Sequence, residues 1–119
     1  MTEANFRNSD RNMSNYDRIS SDDAYQLILD QPVNIVDIRD ADSFKAGHIT
    51  DSVHLDNSGV QSFIDDSDQQ IPVIVCCYHG NMSQSAGAYL AEKGFAQVYS
   101  LDGGFAEWAA KYPDDCEPD

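Results

Sequence analysis

Basic side chains are scarce in this sequence. Seven Lys and Arg stand against 21 Asp and Glu in 119 residues, for a formal net charge of −14. No patch of cations is available to displace counterions from phosphates, which argues against nucleic acid as a partner. A solvated, soluble surface adapted to salt is the plain meaning of such a balance, and it identifies no partner by itself.

Long apolar runs are missing as well. No stretch approaches the roughly 18 residues that a membrane span requires, so no membrane association is expected. Residues 1–16 hold no apolar run of the kind that a secretory signal or an anchor needs. Without export, the sequons at Asn12-Met13-Ser14 and Asn81-Met82-Ser83 carry no expectation of glycosylation. Cysteine is sparse: Cys76, Cys77 and Cys116 cannot all pair within one chain, and two of them are adjacent. No disulfide framework is visible, and a reducing compartment, the cytoplasm, is the expected home. There a cysteine is usually either buried or chemical.

What remains reads as one domain. The length suits a single core, and a hydrophobic content of 41% is ordinary for a globular chain. Residues 1–15 are polar and Asn-rich and read as a disordered arm. Residues 16–113 form the domain, and residues 114–119 an acidic tail that is expected to be unpacked.

Within the domain, strand and helix patterns alternate. Ser20 or Ser21 caps a helix with Ala24, Leu27 and Ile28 at helical spacing. The run Val33-Asn34-Ile35-Val36-Asp37-Ile38 is a strand, and Ala41 to Ala46 a short helical turn stopped by Gly47. Residues 52–55 suit a second strand, and Val60, Phe63 and Ile64 one face of another helix. Ile71 to Cys76 is the strongest strand, apolar enough to be covered on both faces as in a parallel sheet. A helix over 83–93 follows, with Ser83 as N-cap, Gly94 as C′, and Ala86, Leu90 and Tyr89 toward the sheet. Residues 98–101 form the next strand, then come a Gly103-Gly104 turn and a helix with Phe105 and Trp108, closed by Pro113. The pattern predicts an α/β fold: a mainly parallel sheet of about five strands with helices on both faces.

Cys77 stands at the end of the most buried strand, before a short polar loop and a helix. Ligands gather at the carboxyl ends of strands in such sheets. A tight loop entering a helix directs N–H groups inward, and the same donors that hold an anion stabilise a thiolate. Gly80 permits a turn that a side chain would forbid. Cysteine is commonly buried for packing alone, but loop, glycine and helix start together favour chemistry. Cys76 points to the opposite face and reads as inert core. Metal binding by Cys76, Cys77 and His79 has poor spacing and no second ligand pair, so no metal is expected.

At these residues the chain resembles the rhodanese family, and more narrowly its single-domain thiosulfate sulfurtransferases of the GlpE type. Cys77-Tyr78-His79-Gly80-Asn81 is similar to the family's active loop. Val36-Asp37-Ile38-Arg39-Asp40 is similar to its strand-end motif, and Gly47-His48-Ile49 to its Gly-His-Ile segment. Tyr99 to Phe105, with Trp108, resembles its C-terminal signature. Four short motifs in order, over about residues 16–113, are far more specific than any one alone. Met82 departs from the pattern, which places Ser there; the neighbouring Ser83 offers a hydroxyl in its stead.

The resemblance implies a sulfurtransferase in which Cys77 takes the outer sulfur of thiosulfate as a persulfide and releases sulfite. It implies a cradle of N–H groups from residues 78–83, including Met82 and Ser83. Cyanide in the assay, or a dithiol such as thioredoxin in the cell, is the acceptor, and no cofactor is needed. Asp37 and Arg39 give structural support, and His79 a modest contact to substrate. His48, His54 and Trp108 read as packing or hydrogen-bonding groups. A phosphatase needs an Arg to close the loop on its dianion, and residues 78–83 contain no Arg or Lys. A persulfide carrier for one partner protein, or a non-catalytic binding domain, is the alternative to an enzyme.

The charge balance generates a prediction. Thiosulfate is an anion, and the field of −14 charges repels it at low salt, whereas loop dipoles act only at contact. Raising ionic strength shortens the screening length to about 8 Å at physiological salt, so kcat/KM for thiosulfate rises from its low-salt value. Chloride is to be compared with a bulkier, weakly binding anion; a steady fall with both salts contradicts the expectation.

Overall fold

The computed structural model describes residues 15–119, so the expected arm lies, apart from Asn15, outside the described residues. The chain opens on β1 (Asp17–Ile19), and Ser20 then caps α1 (Ser21–Asp30), its hydroxyl accepting the N–H of Asp23 at 3.1 Å. Asp22 and Asp23 complement the positive end of that helix. After β2 (Asn34–Asp37), Asp40 caps α2 (Ala41–Ala46), which ends at Gly47 as its sequence demands. Two short strands, β3 (His48–Ile49) and β4 (Val53–His54), lead to α3 (Val60–Asp66). The central strand β5 (Val73–Cys76) runs into the loop before α4 (Met82–Glu92). Next are β6 (Val98–Leu101), α5 (Gly104–Lys111), a 3₁₀ turn at Pro113–Asp115 and β7 (Cys116–Glu117).

Five strands form one sheet in the order β1-β6-β5-β2-β4, every neighbouring pair parallel. All four residues of β5 are buried, as its apolar run predicts. The pleat divides them between two cores. Val73 and Val75 join Val36, Leu55, Ile64, Leu90, Phe95 and Val98 on the face covered by α3 and α4. Ile74 and Cys76 join Ala24, Ile35, Ile49, Leu101 and Trp108 on the face covered by α1 and α5. The expected α/β architecture, with helices on both faces, is therefore the one observed. No helix among the described residues is long and apolar enough to cross a membrane.

Three local expectations are corrected. Helix α4 begins at Met82 with Asn81 at the cap position, and Ser83 lies inside the first turn. Its hydroxyl is engaged by Cys77 and Ser100 and is not free to cap. Tyr89 is 41% exposed and turns away from the sheet, while Leu90, expected beside it, is 1% exposed and does pack there. Gly94 does sit past the end of α4 with φ of +112°, where a glycine is favoured.

The acidic tail is packed. Strand β7 pairs antiparallel with β3, His48 opposite Glu117 and Ile49 opposite Cys116. Thr50 N–H donates to Asp115 O at 2.9 Å, Asp119 N–H to Lys45 O at 3.0 Å, and the indole N–H of Trp108 to Asp115 O at 3.4 Å. The backbone supplies most of these contacts, the Glu117 carboxylate adds one by accepting the N–H of Asp51 at 3.2 Å, and Cys116 packs against the Trp108 core. Removing residues 116–119 is expected to lower stability by about 1–2 kcal/mol, the worth of a few partly exposed hydrogen bonds. Urea unfolding measures this, and an unchanged midpoint shows that the pairing contributes nothing.

Candidate active site

Cys77 is the first residue beyond β5, at the carboxyl end of the central strand, and is only 4% exposed. The pleat that sends Cys76 under α1 and α5 turns Cys77 to the α4 side. From there the chain must bend sharply. Gly80 does so with φ of +94°, and a Cβ on it would stand 3.0 Å from Gly103 N and 3.1 Å from Leu101 O. Only a glycine fits both the angle and the space.

The loop's carbonyls are held from outside it. Phe105 N–H donates to Cys77 O at 2.8 Å and Ala106 N–H to Tyr78 O at 3.1 Å, both from the first turn of α5. A Cβ on Gly104 would lie 2.5 Å from Tyr78 C and O and 2.6 Å from Cys77 O, so this approach needs a bare backbone. The carbonyl of Gly80 is taken by Gln84 Nε2 at 3.0 Å, and Gln84 in turn accepts from the Tyr16 hydroxyl at 3.0 Å. With the oxygens drawn away, the loop's N–H groups face the sulfur.

Two backbone donors converge there: Gly80 N–H at 3.1 Å and Ser83 N–H at 3.3 Å from Cys77 Sγ. Ser83 Oγ lies 3.3 Å from the same sulfur and 2.7 Å from Ser100 Oγ. Helix α4 opens on this point, its dipole adding to the attraction for negative charge. Burial pushes the Cys77 pKa up, but the Ser83 hydroxyl and the N–H groups of Ser83, Gly80 and His79 outweigh it and the net shift is downward. Cys76 lacks such donors; burial, reinforced by Asp37, drives its pKa far up and leaves it a thiol.

Asp37 and Arg39 form a buried pair beside the loop. Arg39 Nη2 lies 2.8 Å from Asp37 Oδ2, Nε lies 3.0 Å from both carboxylate oxygens, and Arg39 N–H caps Asp37 Oδ1 at 2.9 Å. Nη2 also donates to Gly47 O at 2.7 Å. The guanidinium carbon stands 4.1 Å from the Phe105 ring centre and 5.5 Å from that of Tyr78. One cation thus braces both α5 and the loop by stacking. His79 lies exposed on the rim, its ring tilted against Tyr78 at 5.2 Å. Asn81 and Met82 are exposed beside it. His48 bonds Phe44 O at 2.8 Å through Nδ1, and His54 bonds Arg39 O at 2.6 Å through Nε2.

An open groove of about 650 Å³ adjoins the loop at Met82 and runs past Ile38, Leu55, Val60 and Tyr89. It is mostly apolar and carries a carboxylate, Asp56, but no cation, so it offers an anion nothing. Among the described residues no three His, Cys, Asp or Glu side chains converge as a metal site requires. Ser100 and the N–H groups of Phe105 and Ala106 were not singled out by sequence. Ser100 and Phe105 lie within the Tyr99 to Phe105 segment that carried the resemblance, and Ser100 is a small hydroxyl in a strand of larger side chains, but neither signal pointed to Cys77.

Residues 20–111 match the family model described as the rhodanese-like domain, and the chain belongs to that family. Among similar proteins is the thiosulfate sulfurtransferase GlpE of Pseudomonas savastanoi pv. phaseolicola, 50% identical over 103 residues, which are 87% of this chain and 96% of the relative. The thiosulfate sulfurtransferase GlpE of Ectopseudomonas mendocina is 54% identical over 101 residues, 85% of this chain and 92% of the relative. A crystal structure of a rhodanese-like domain protein from Staphylococcus aureus superimposes with a TM-score of 0.69 over 77% of this chain and 90% of that one. At 22% identity it shows the shared fold.

The geometry makes the thiolate depend on the α5 contact. Because the Ser83 hydroxyl and the loop N–H groups draw the Cys77 pKa down against its burial, iodoacetamide should alkylate it with a midpoint below that of an unperturbed thiol, the rate rising with pH as thiolate forms. Gly104→Ala pushes Tyr78 away and should move that midpoint upward. An equal midpoint in both proteins separates the cradle from α5.

Proposed function

We propose that the protein is a thiosulfate sulfurtransferase with Cys77 as its nucleophile. The Cys77 thiolate attacks the outer sulfur of thiosulfate; the sulfur–sulfur bond of the donor breaks, and sulfite leaves with its electron pair. Cys77 then carries one additional sulfur as a persulfide anion. In the second step a thiophilic acceptor takes that sulfur and regenerates the thiolate. Cyanide yields thiocyanate. A dithiol, such as reduced thioredoxin, takes the sulfur on one thiol and expels it as hydrosulfide when its second thiol closes a disulfide.

The observation that carries this reading is the convergence of Gly80 N–H, Ser83 N–H and Ser83 Oγ on Cys77 Sγ. An environment of dipoles without a side-chain cation suits a sulfur that is anionic before and after each step. The N–H groups of Asn81 and Met82, next in the loop, are the donors we assign to the outer sulfur. Ser83 supplies the hydroxyl contact that Met82 does not. Tyr78 and His79 form the rim over which substrate enters, while Asp37 and Arg39 hold the loop without touching substrate. The scheme needs no metal and no cofactor beyond the transient persulfide. The names of the relatives favour an enzyme over a carrier or a binding domain.

Cys77→Ser should abolish transfer from thiosulfate to cyanide, since an alcohol cannot form the persulfide. Cys76→Ser should keep turnover per folded molecule while losing about 1–3 kcal/mol of stability, because a hydroxyl costs more to bury than a thiol and its neighbouring acceptor, Cys77 O, already stands 3.4 Å from Sγ. Mass spectrometry after thiosulfate treatment should find one added sulfur, on Cys77. Turnover that survives in Cys77→Ser, or falls equally in both variants, removes the assignment.

A further inference from the structure

Ser100 is the third residue of β6 and is fully buried. Alternation along the strand puts its side chain on the same face as Val98, which belongs to the apolar core under α4. A hydroxyl in that row meets Ser83 Oγ at 2.7 Å. Ser83 is also fully buried and reaches Cys77 Sγ with both its N–H and its Oγ, each at 3.3 Å. Ser100 Oγ, Ser83 Oγ and Cys77 Sγ therefore form a line whose two hydroxyls are out of reach of water.

Each hydroxyl has one proton to give. When Ser83 gives its proton to a thiolate, the 2.7 Å contact between the two oxygens is a hydrogen bond only if Ser100 donates. A protonated sulfur permits the reverse order, with Cys77 donating to Ser83 and Ser83 to Ser100. The direction of the Ser100 hydroxyl is thus tied to the charge on sulfur. We propose that Ser100 is a positioning residue for the nucleophile: its buried hydroxyl donates to Ser83 Oγ and so holds the Ser83 proton on Cys77 Sγ. This rests on the reading of Cys77 as the reactive thiolate, and adds to it a residue that touches neither substrate nor sulfur.

The effect is bounded by physics. Hydrogen bonds in series strengthen one another by roughly 10–30% per bond, so Ser100 acts as a correction to the direct donors. Other titratable groups lie around the cradle. These are the Asp37–Arg39 pair at the end of β2, Cys76 beneath the loop, Tyr78 and His79 within it, Tyr16 through Gln84, and the Arg18–Asp102 pair beside β1 and β6. The substitutions below alter none of them.

The test follows Cys77 alkylation by iodoacetamide against pH, quantified on the Cys77 peptide of the full chain, and does not use turnover. Ser100→Ala should raise the midpoint by about 0.5 pH. In a Ser83→Ala background the same substitution should change nothing, because the link to sulfur is already gone. Ser100→Thr and Ser100→Val have the same shape and differ in the hydroxyl. The threonine variant should keep the parent midpoint and the valine variant should match alanine, which also serves if Ser100→Ala does not fold. An unshifted midpoint without the hydroxyl, a shift of equal size in both backgrounds, or a threonine variant that behaves like valine overturns the proposal. Failure of Cys77 as the sulfur carrier would show separately, as turnover by Cys77→Ser.

Discussion

The loop that surrounds the Cys77 sulfur depends on how closely the first turn of α5 comes to the peptide groups of Cys77 and Tyr78. A loop this short has no secondary structure to orient its dipoles. Left alone, its carbonyls would face the sulfur as readily as its N–H groups, and a thiolate would find no preference. Phe105 and Ala106 take two of those carbonyls, at 2.8 and 3.1 Å, and Gln84 takes a third at 3.0 Å. Preorganisation of this kind is effective because the dipoles need not turn at the moment of reaction. Its condition is the missing side chain at Gly104, which lets backbone meet backbone.

The buried Asp37–Arg39 pair belongs to the same arrangement. An ion pair taken out of water is seldom a net source of stability, because desolvation offsets the attraction. Here Nε and Nη2 of the guanidinium are engaged by a carboxylate and by Gly47 O, and both its flanking rings belong to segments that must keep their places. Its positive charge is spent on Asp37, so the cradle attracts anions by dipoles while the molecule as a whole bears a charge of −14. Contact distances near 3 Å and screening lengths near 8 Å keep the two effects apart.

Sequence carried the fold where the signal was local. The buried strand Val73 to Cys76, the helix closed by Gly47 and the strand–loop–helix around Cys77 each sit where pattern and turn chemistry put them. It failed where partners are distant. A two-residue strand such as β7 has no periodicity, and what makes it a strand is the edge offered by His48 and Ile49. Ser83 looked like a cap because serine before a helix usually is one; the competing sulfur and the Ser100 hydroxyl come from other strands. Tyr89 and Leu90 differ by one helical position, finer than a short amphipathic pattern can resolve. The brace on the loop was hidden for the same reason, since Phe105 and Ala106 act through N–H groups that every residue type but proline shares.

The pleat at Cys76 and Cys77 has a chemical consequence. A second thiol within reach of a persulfide would attack the inner sulfur, form a disulfide and discharge the outer sulfur as hydrosulfide. Adjacent residues in a chain would seem ideally placed for that self-quenching. Strand alternation instead puts Cys76 in the opposite core, and burial keeps it protonated and poorly nucleophilic. Under the proposed scheme, a sulfur loaded on Cys77 would therefore have no exit through Cys76. It would wait there for an acceptor from outside, which is what separates a donor from a slow source of sulfide.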